Sequence, residues 1–120
     1  MAVAEYFRFQ QIEPAVNVLE LELPEWIDAV DFDRLNESML ELIDGNTNQP
    51  WVLDLTSVNY LGSAMLGLIV NVRQRVKTAG GKLVLCGMSS RLVEIFRTCS
   101  MERLFTIVKT QRDAVKVLAR

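Results

Sequence analysis

The apolar and polar positions of this chain alternate in two different rhythms. Residues 4–12 alternate loosely, through Tyr6, Phe7, Phe9 and Ile12, and predict a strand. Glu13-Pro14 interrupts it. Residues 15–23, "AVNVLELEL", alternate more strictly, with Val16, Val18, Leu19, Leu21 and Leu23 apolar and the acids Glu20 and Glu22 expected outside. That pattern predicts a second, half-buried strand, and the short break makes the two an antiparallel pair. Pro24 ends the run. From Asp31 to Asp44 the period lengthens to that of a helix: Phe32, Leu35, Met39, Leu42 and Ile43 fall on one stripe. Asp31 is the expected N-cap, and Gly45 stands where such a helix stops.

"WVLDL", residues 51–55, is almost continuously apolar, as befits a strand covered on both faces. A loop around Ser57–Leu61 leads to a helix from about Ser63 to Thr78, whose buried stripe is Met65, Leu68, Ile69, Val72 and Val76. Gly80-Gly81 makes a turn into a second buried strand, "KLVLCGM". Then come the helix "SSRLVEIFRTC", with Leu92, Ile95, Phe96 and Cys99 on one face, the short strand "FTIV" and a closing helix "RDAVKVLA". From residue 51 the order is β-α-β-α-β-α, which requires those strands to be parallel. The expectation is an α/β fold with a mixed sheet, an N-terminal antiparallel pair plus parallel strands, and about four helices. Leu53, Leu83 and Leu85 are expected in its core. With 120 residues, half of them hydrophobic, and no repeat or linker, a single domain spanning 1–120 is expected.

Composition narrows the chemistry. The chain has no histidine, so imidazole bases and histidine metal sites are excluded. Two cysteines, Cys86 and Cys99, lie thirteen residues apart without a CxxC pair; both are expected reduced and buried, and no metal site is expected. No G-x-S-x-G, P-loop or dinucleotide fingerprint is present, because the glycines at 62 and 67 lack the companions those motifs need. The expectation is a protein that is not an enzyme and takes no cofactor. The start, "MAVAEYFRFQ", lacks the plan of a secretory signal, and no apolar run approaches a membrane span. The expected location is the cytoplasm, with no membrane insertion, and the sequon-like Asn36-Glu37-Ser38 is set aside on that ground.

Charge is divided along the chain. The net charge is −2, which favours no nucleic acid. Residues 1–50, however, hold 11 acids against Arg8 and Arg34, whereas residues 51–120 hold 11 bases against 4 acids. The halves attract each other within the fold, form separate acidic and basic faces for a partner, or carry ordinary solvated surface charge.

One joint stands out. In "YLGSAMLG", residues 60–67, Ser63 opens the helix that follows a central strand. The first amides of any helix lack internal partners, and a serine oxygen can accept from one of them as a cap. The same free N–H groups and the helix dipole also favour a phosphate, and strand C-termini are where α/β sheets receive ligands. Spacing leaves both roles open for Ser63. The first two turns after it are apolar nearly all round, including Leu66 and Val70, which suits either a docking surface or a buried helix end.

The order of these features, from "WVLDLTSVNYLGSAMLG" through Gly80-Gly81, "KLVLCGM", "LVEIF" and "MERLF", resembles the STAS domain, named for sulphate transporters and anti-sigma factor antagonists. The likeness extends over about residues 4–119 and is strongest from 51 onward. It is nearest to the stand-alone bacterial antagonist type, which typically carries Asp-Ser-Ser-Gly-Leu at the joint. The resemblance implies a regulatory protein that binds an anti-sigma factor with serine kinase activity, is phosphorylated by it, and is reset by a phosphatase. It places the phosphoacceptor at Ser63 and partner contacts at Leu61, Gly62, Ser63, Ala64, Met65 and Leu66. Gly62, Ala64 and Met65 depart from the family's Asp, Ser and Gly; Ser63 and Leu66 keep its Ser and Leu. The alternative implied is a STAS scaffold or interaction module, not phosphorylated, in a larger signalling or transport assembly.

Overall fold

The computed structural model describes residues 6–12, 15–24 and 26–119. Residues 4 and 5 of the first expected strand, and its Glu13-Pro14 break, lie outside them. Strands β1 (Phe7–Ile12), β2 (Val16–Leu21), β3 (Pro50–Asp54), β4 (Lys82–Cys86) and β5 (Thr106–Ile107) form one sheet in the order β1-β2-β3-β4-β5. β1 and β2 pair antiparallel, Phe9 opposite Leu19; the remaining neighbours are parallel, with Leu19 beside Leu53 and Leu53 beside Leu85. Helices α1 (Ala29–Asp44), α2 (Ser63–Thr78), α3 (Ser90–Thr98) and α4 (Gln111–Leu118) complete the α/β fold with the mixed sheet that the alternation predicts.

The two-residue period of the strands divides the core. Leu19, Leu21, Trp51, Leu53 and Leu85 pack with the inner stripes of α1, α2 and α3. Val16, Val18, Val52, Val84 and Cys86 face the other way, onto Ala114 of α4. The layer under α4 is built from four valines and a cysteine and is covered by a helix of 8 residues. On α2 all five stripe residues are buried. On α1, Leu35, Met39 and Ile43 are buried while Phe32 and Leu42 are half-buried at the rim.

Several expectations are corrected. α1 starts two residues earlier than Asp31: its N-cap is Asp28, whose carboxylate accepts from the Asp31 amide at 2.8 Å. The stripe cannot reveal this, since Ala29 and Val30, the added residues, are exposed. "FTIV" yields only the two residues of β5, an edge strand held by one neighbour, and a 3-10 turn at Met101–Leu104 precedes it. Leu53 and Leu85 are core; Leu83 is half-buried, facing a groove beside β5. Cys86 is buried, but Cys99 is exposed, because it is the C-cap of α3 and no longer follows the buried stripe.

Candidate functional site: the start of α2

The loop from β3 to α2 is pinned from beneath. Leu55, Val58 and Leu61 recur every third residue and all are buried. Asp54, at the end of β3, is itself buried but fully partnered: one carboxylate oxygen accepts from the Thr56 amide at 2.9 Å and hydroxyl at 2.5 Å, the other from the Gln111 amide at 2.9 Å. A buried carboxylate is tolerable when donors surround it in this way. Gly87, at φ +74°, passes so close that a Cβ there would collide with Thr56 Oγ1 and Asp54 Oδ1. Beside this cluster, burial first, then the charges of Asp54 and Glu20, push the Cys86 thiol up to about 12. Cys86 is thus a neutral core residue and no nucleophile. Among the described residues no group of three or more His, Cys, Asp or Glu side chains is placed to hold a metal ion.

Above the pinned loop, the start of α2 is open. Its N-cap is Gly62, not Ser63, and no side-chain hydrogen bond caps it. Ser63 is the first residue of the helix and is exposed. The capping role raised for Ser63 is therefore overturned: a residue with helical dihedrals at this position does not supply the cap oxygen. The first amides of α2 and the Ser63 hydroxyl have no partner within the described residues, whereas the Leu66 amide returns to the Gly62 carbonyl at 3.0 Å.

Of the six residues expected at the partner surface, Gly62, Ser63, Ala64 and Leu66 reach it to differing degrees. Leu61, 2% exposed, and Met65, 7% exposed, belong to the core and support the surface from below. The structure adds neighbours that the periodic pattern does not reveal. Pro24, Trp26 and Ile27, from the segment before α1, join Tyr60 and residues 62–65 around a shallow groove of about 210 Å³. Trp26 is 78% exposed and Tyr60 42%. The Arg91 guanidinium, from α3, stacks over the Tyr60 ring at 5.1 Å, the geometry of a cation–π contact. A tryptophan outside any apolar period, between the strand-ending Pro24 and α1, was the one sequence signal near this wall, and it does not name the wall's neighbours.

The STAS domain model matches residues 9–114. The chain belongs to the STAS domain family. Solved structures agree in fold. A STAS domain protein described as an anti-sigma factor antagonist, from Planctomyces limnophilus, is 21% identical, with 95% of this chain and 98% of that one covered, at TM-score 0.80. A putative anti-sigma factor antagonist from Thermotoga maritima is 18% identical, with 98% of both chains covered, at TM-score 0.78. The Bacillus cell fate determinant SpoIIAA, in its phosphorylated form, is 13% identical, with 92% of this chain and 96% of that one covered, at TM-score 0.67. In this STAS chain the joint between β3 and α2 therefore has a pinned base, an uncapped helix start and an aromatic wall. No described helix is long and apolar enough to cross a membrane.

Proposed function

We propose that this chain is an anti-sigma factor antagonist-like regulator, acting in the cytoplasm, that binds an anti-sigma factor with serine kinase activity through the start of α2. Control is by phosphorylation of Ser63, reversed by a phosphatase. The observation that carries this is the exposed Ser63 hydroxyl on a helix start that no side chain caps. A phosphate there adds roughly −1.5 to −2 charges at neutral pH and finds unpaired amides and the positive end of the helix dipole. The same charge beside Trp26 and Tyr60 must be desolvated by any partner resting on that apolar wall, so phosphorylation weakens docking. A neighbour in fold, SpoIIAA, is known in a phosphorylated form, which supports the reading. Contacts run through Gly62, Ser63, Ala64 and Leu66, held up by Leu61 and Met65, and extend to Trp26 and Tyr60.

The test is incubation with the cognate kinase and ATP, mass spectrometry of the Ser63 peptide, and binding of the Ser63→Glu variant to that kinase. Phosphate on Ser63 and loss of binding by the variant are expected. An unmodified Ser63 together with unchanged binding of Ser63→Glu refutes the switch.

Gly62, Ala64 and Met65 support a second reading, a STAS scaffold that docks without phosphorylation. The Met65 side chain is almost fully enclosed, so this position is occupied by core packing where the family pattern has glycine. Under this reading Ser63→Ala and Ser63→Asp both bind the partner as the parent does.

A further inference from the structure

Little of the divided charge is paired across the two halves within the fold. Four ion pairs form among the described residues, and one of them, Arg75–Asp44 at 2.6 Å, joins the acidic first half to the basic second half. The rest of the charge stays on separate surfaces. On α1, Val30, Asp33, Glu37, Glu41 and Asp44 share one exposed stripe, relieved only by Arg34. Asp33, Glu37 and Glu41 have no cationic partner among the described residues.

On the far side of α2 lies a groove of about 400 Å³ between the second half of α2, the start of β4, β5 and the end of α4. Arg73, Lys77 and Lys82 line it and, among the described residues, no carboxylate does. Arg73 donates to the Leu104 carbonyl at 2.6 Å, which fixes its position, while Lys77 and Lys82 lack acidic partners among the described residues. Its floor and lip are apolar, with Leu104 and Val117 among the few large apolar side chains left exposed.

The two surfaces match in pattern. Arg73 and Lys77 stand one helical turn apart on α2, as Glu37 and Glu41 do on α1, so the rungs have the same spacing of about 5–6 Å. From Asp33 to Glu41 the acidic stripe runs about 12 Å at ~1.5 Å per residue. Val30 at its head offers an apolar contact to the apolar lip. We propose that this groove is an interaction site for a second copy of the same chain, which enters with the acidic face of α1. The surfaces are different patches, so the contact is heterologous and can extend past a dimer. It leaves the start of α2 free, because the groove adjoins the other end of that helix.

The test is sedimentation velocity on the full chain at two ionic strengths. At about 0.01 M salt, where screening acts only beyond about 30 Å, species above the monomer are expected; at about 1 M, where it acts beyond about 3 Å, monomer is expected. Glu37→Lys/Glu41→Lys and Lys77→Glu/Lys82→Glu each weaken association by about tenfold or more, because like charges meet. An equimolar mixture of the two regains it, since each variant offers the charge the other needs. Should a reversed variant misfold, Glu37→Gln/Glu41→Gln and Lys77→Gln/Lys82→Gln decide instead, each losing association at low salt. A parent chain that stays monomeric at low salt overturns the proposal. So do variants that associate like the parent, a mixture that stays monomeric, or a groove that binds an unrelated acidic protein but no second copy. None of these results depends on phosphorylation of Ser63.

Discussion

Two helices of this protein, α2 and α3, differ at their first residues. α3 starts behind Ser89, whose hydroxyl accepts from the Leu92 amide at 3.2 Å. α2 starts behind Gly62, and its first amides find no acceptor among the described residues. α1 and α4 follow the first pattern, through Asp28 and Thr110. A serine stands near both starts, and one position separates their roles: at the N-cap its oxygen belongs to the fold, and one residue later it belongs to the surface. Both serines are exposed, but only the Ser89 hydroxyl is engaged as a cap.

The comparison can be broken or sharpened by substitution, measured as denaturant unfolding. The largest effect is expected from Asp54→Ala, which removes the buried acceptor for Thr56 and Gln111 and unpins the loop leading to α2; about 2–4 kcal/mol of stability is lost. A loss below about 1 kcal/mol contradicts the pinned base. Ser89→Ala comes next and costs about 1 kcal/mol, the usual value of a cap. Ser63→Ala should change stability by less than about 0.5 kcal/mol. Equal costs at Ser63 and Ser89 erase the distinction between the two helices. The smallest effect is a gain: Gly62→Asp supplies the missing cap and adds a few tenths of a kcal/mol. There is room for it, as a Cβ on Gly62 first meets the Tyr60 ring at 3.9 Å. Alkaline unfolding checks the layer beneath α4: stability declines as pH rises from the usual thiol value of 9.0 toward about 12, because the unfolded Cys86 ionises first.

Much of this fold was legible because burial leaves a period. α2 runs from Ser63 to Thr78 as its stripe predicts, whereas β2, expected half-buried, is buried on both faces: Leu19 and Leu21 join the larger core layer and Val16 and Val18 the layer under α4. What escaped has no period to show. The true cap of α1 precedes two exposed helical residues, and Cys99 leaves the apolar face at the C-cap just past α3. At the site, Ser63 could be found as the joint between strand and helix. Its displacement from the cap could not, since glycine and serine are both acceptable caps and only backbone dihedrals separate them. Trp26 joins the groove through a segment without regular structure, so its neighbours follow from tertiary packing alone.

The two tryptophans occupy opposite environments. Trp51 is sealed between the sheet and its helices, 1% exposed and stacked on Phe9 at 5.8 Å; Trp26 stands in solvent at the rim of the Ser63 groove. Their emission spectra therefore separate, blue for the enclosed indole and red for the wet one. Trp26→Phe leaves a fluorophore that follows unfolding, and Trp51→Phe leaves one that follows whatever settles against the start of α2. The molecule carries an internal optical gauge for its two most informative events, without an added label.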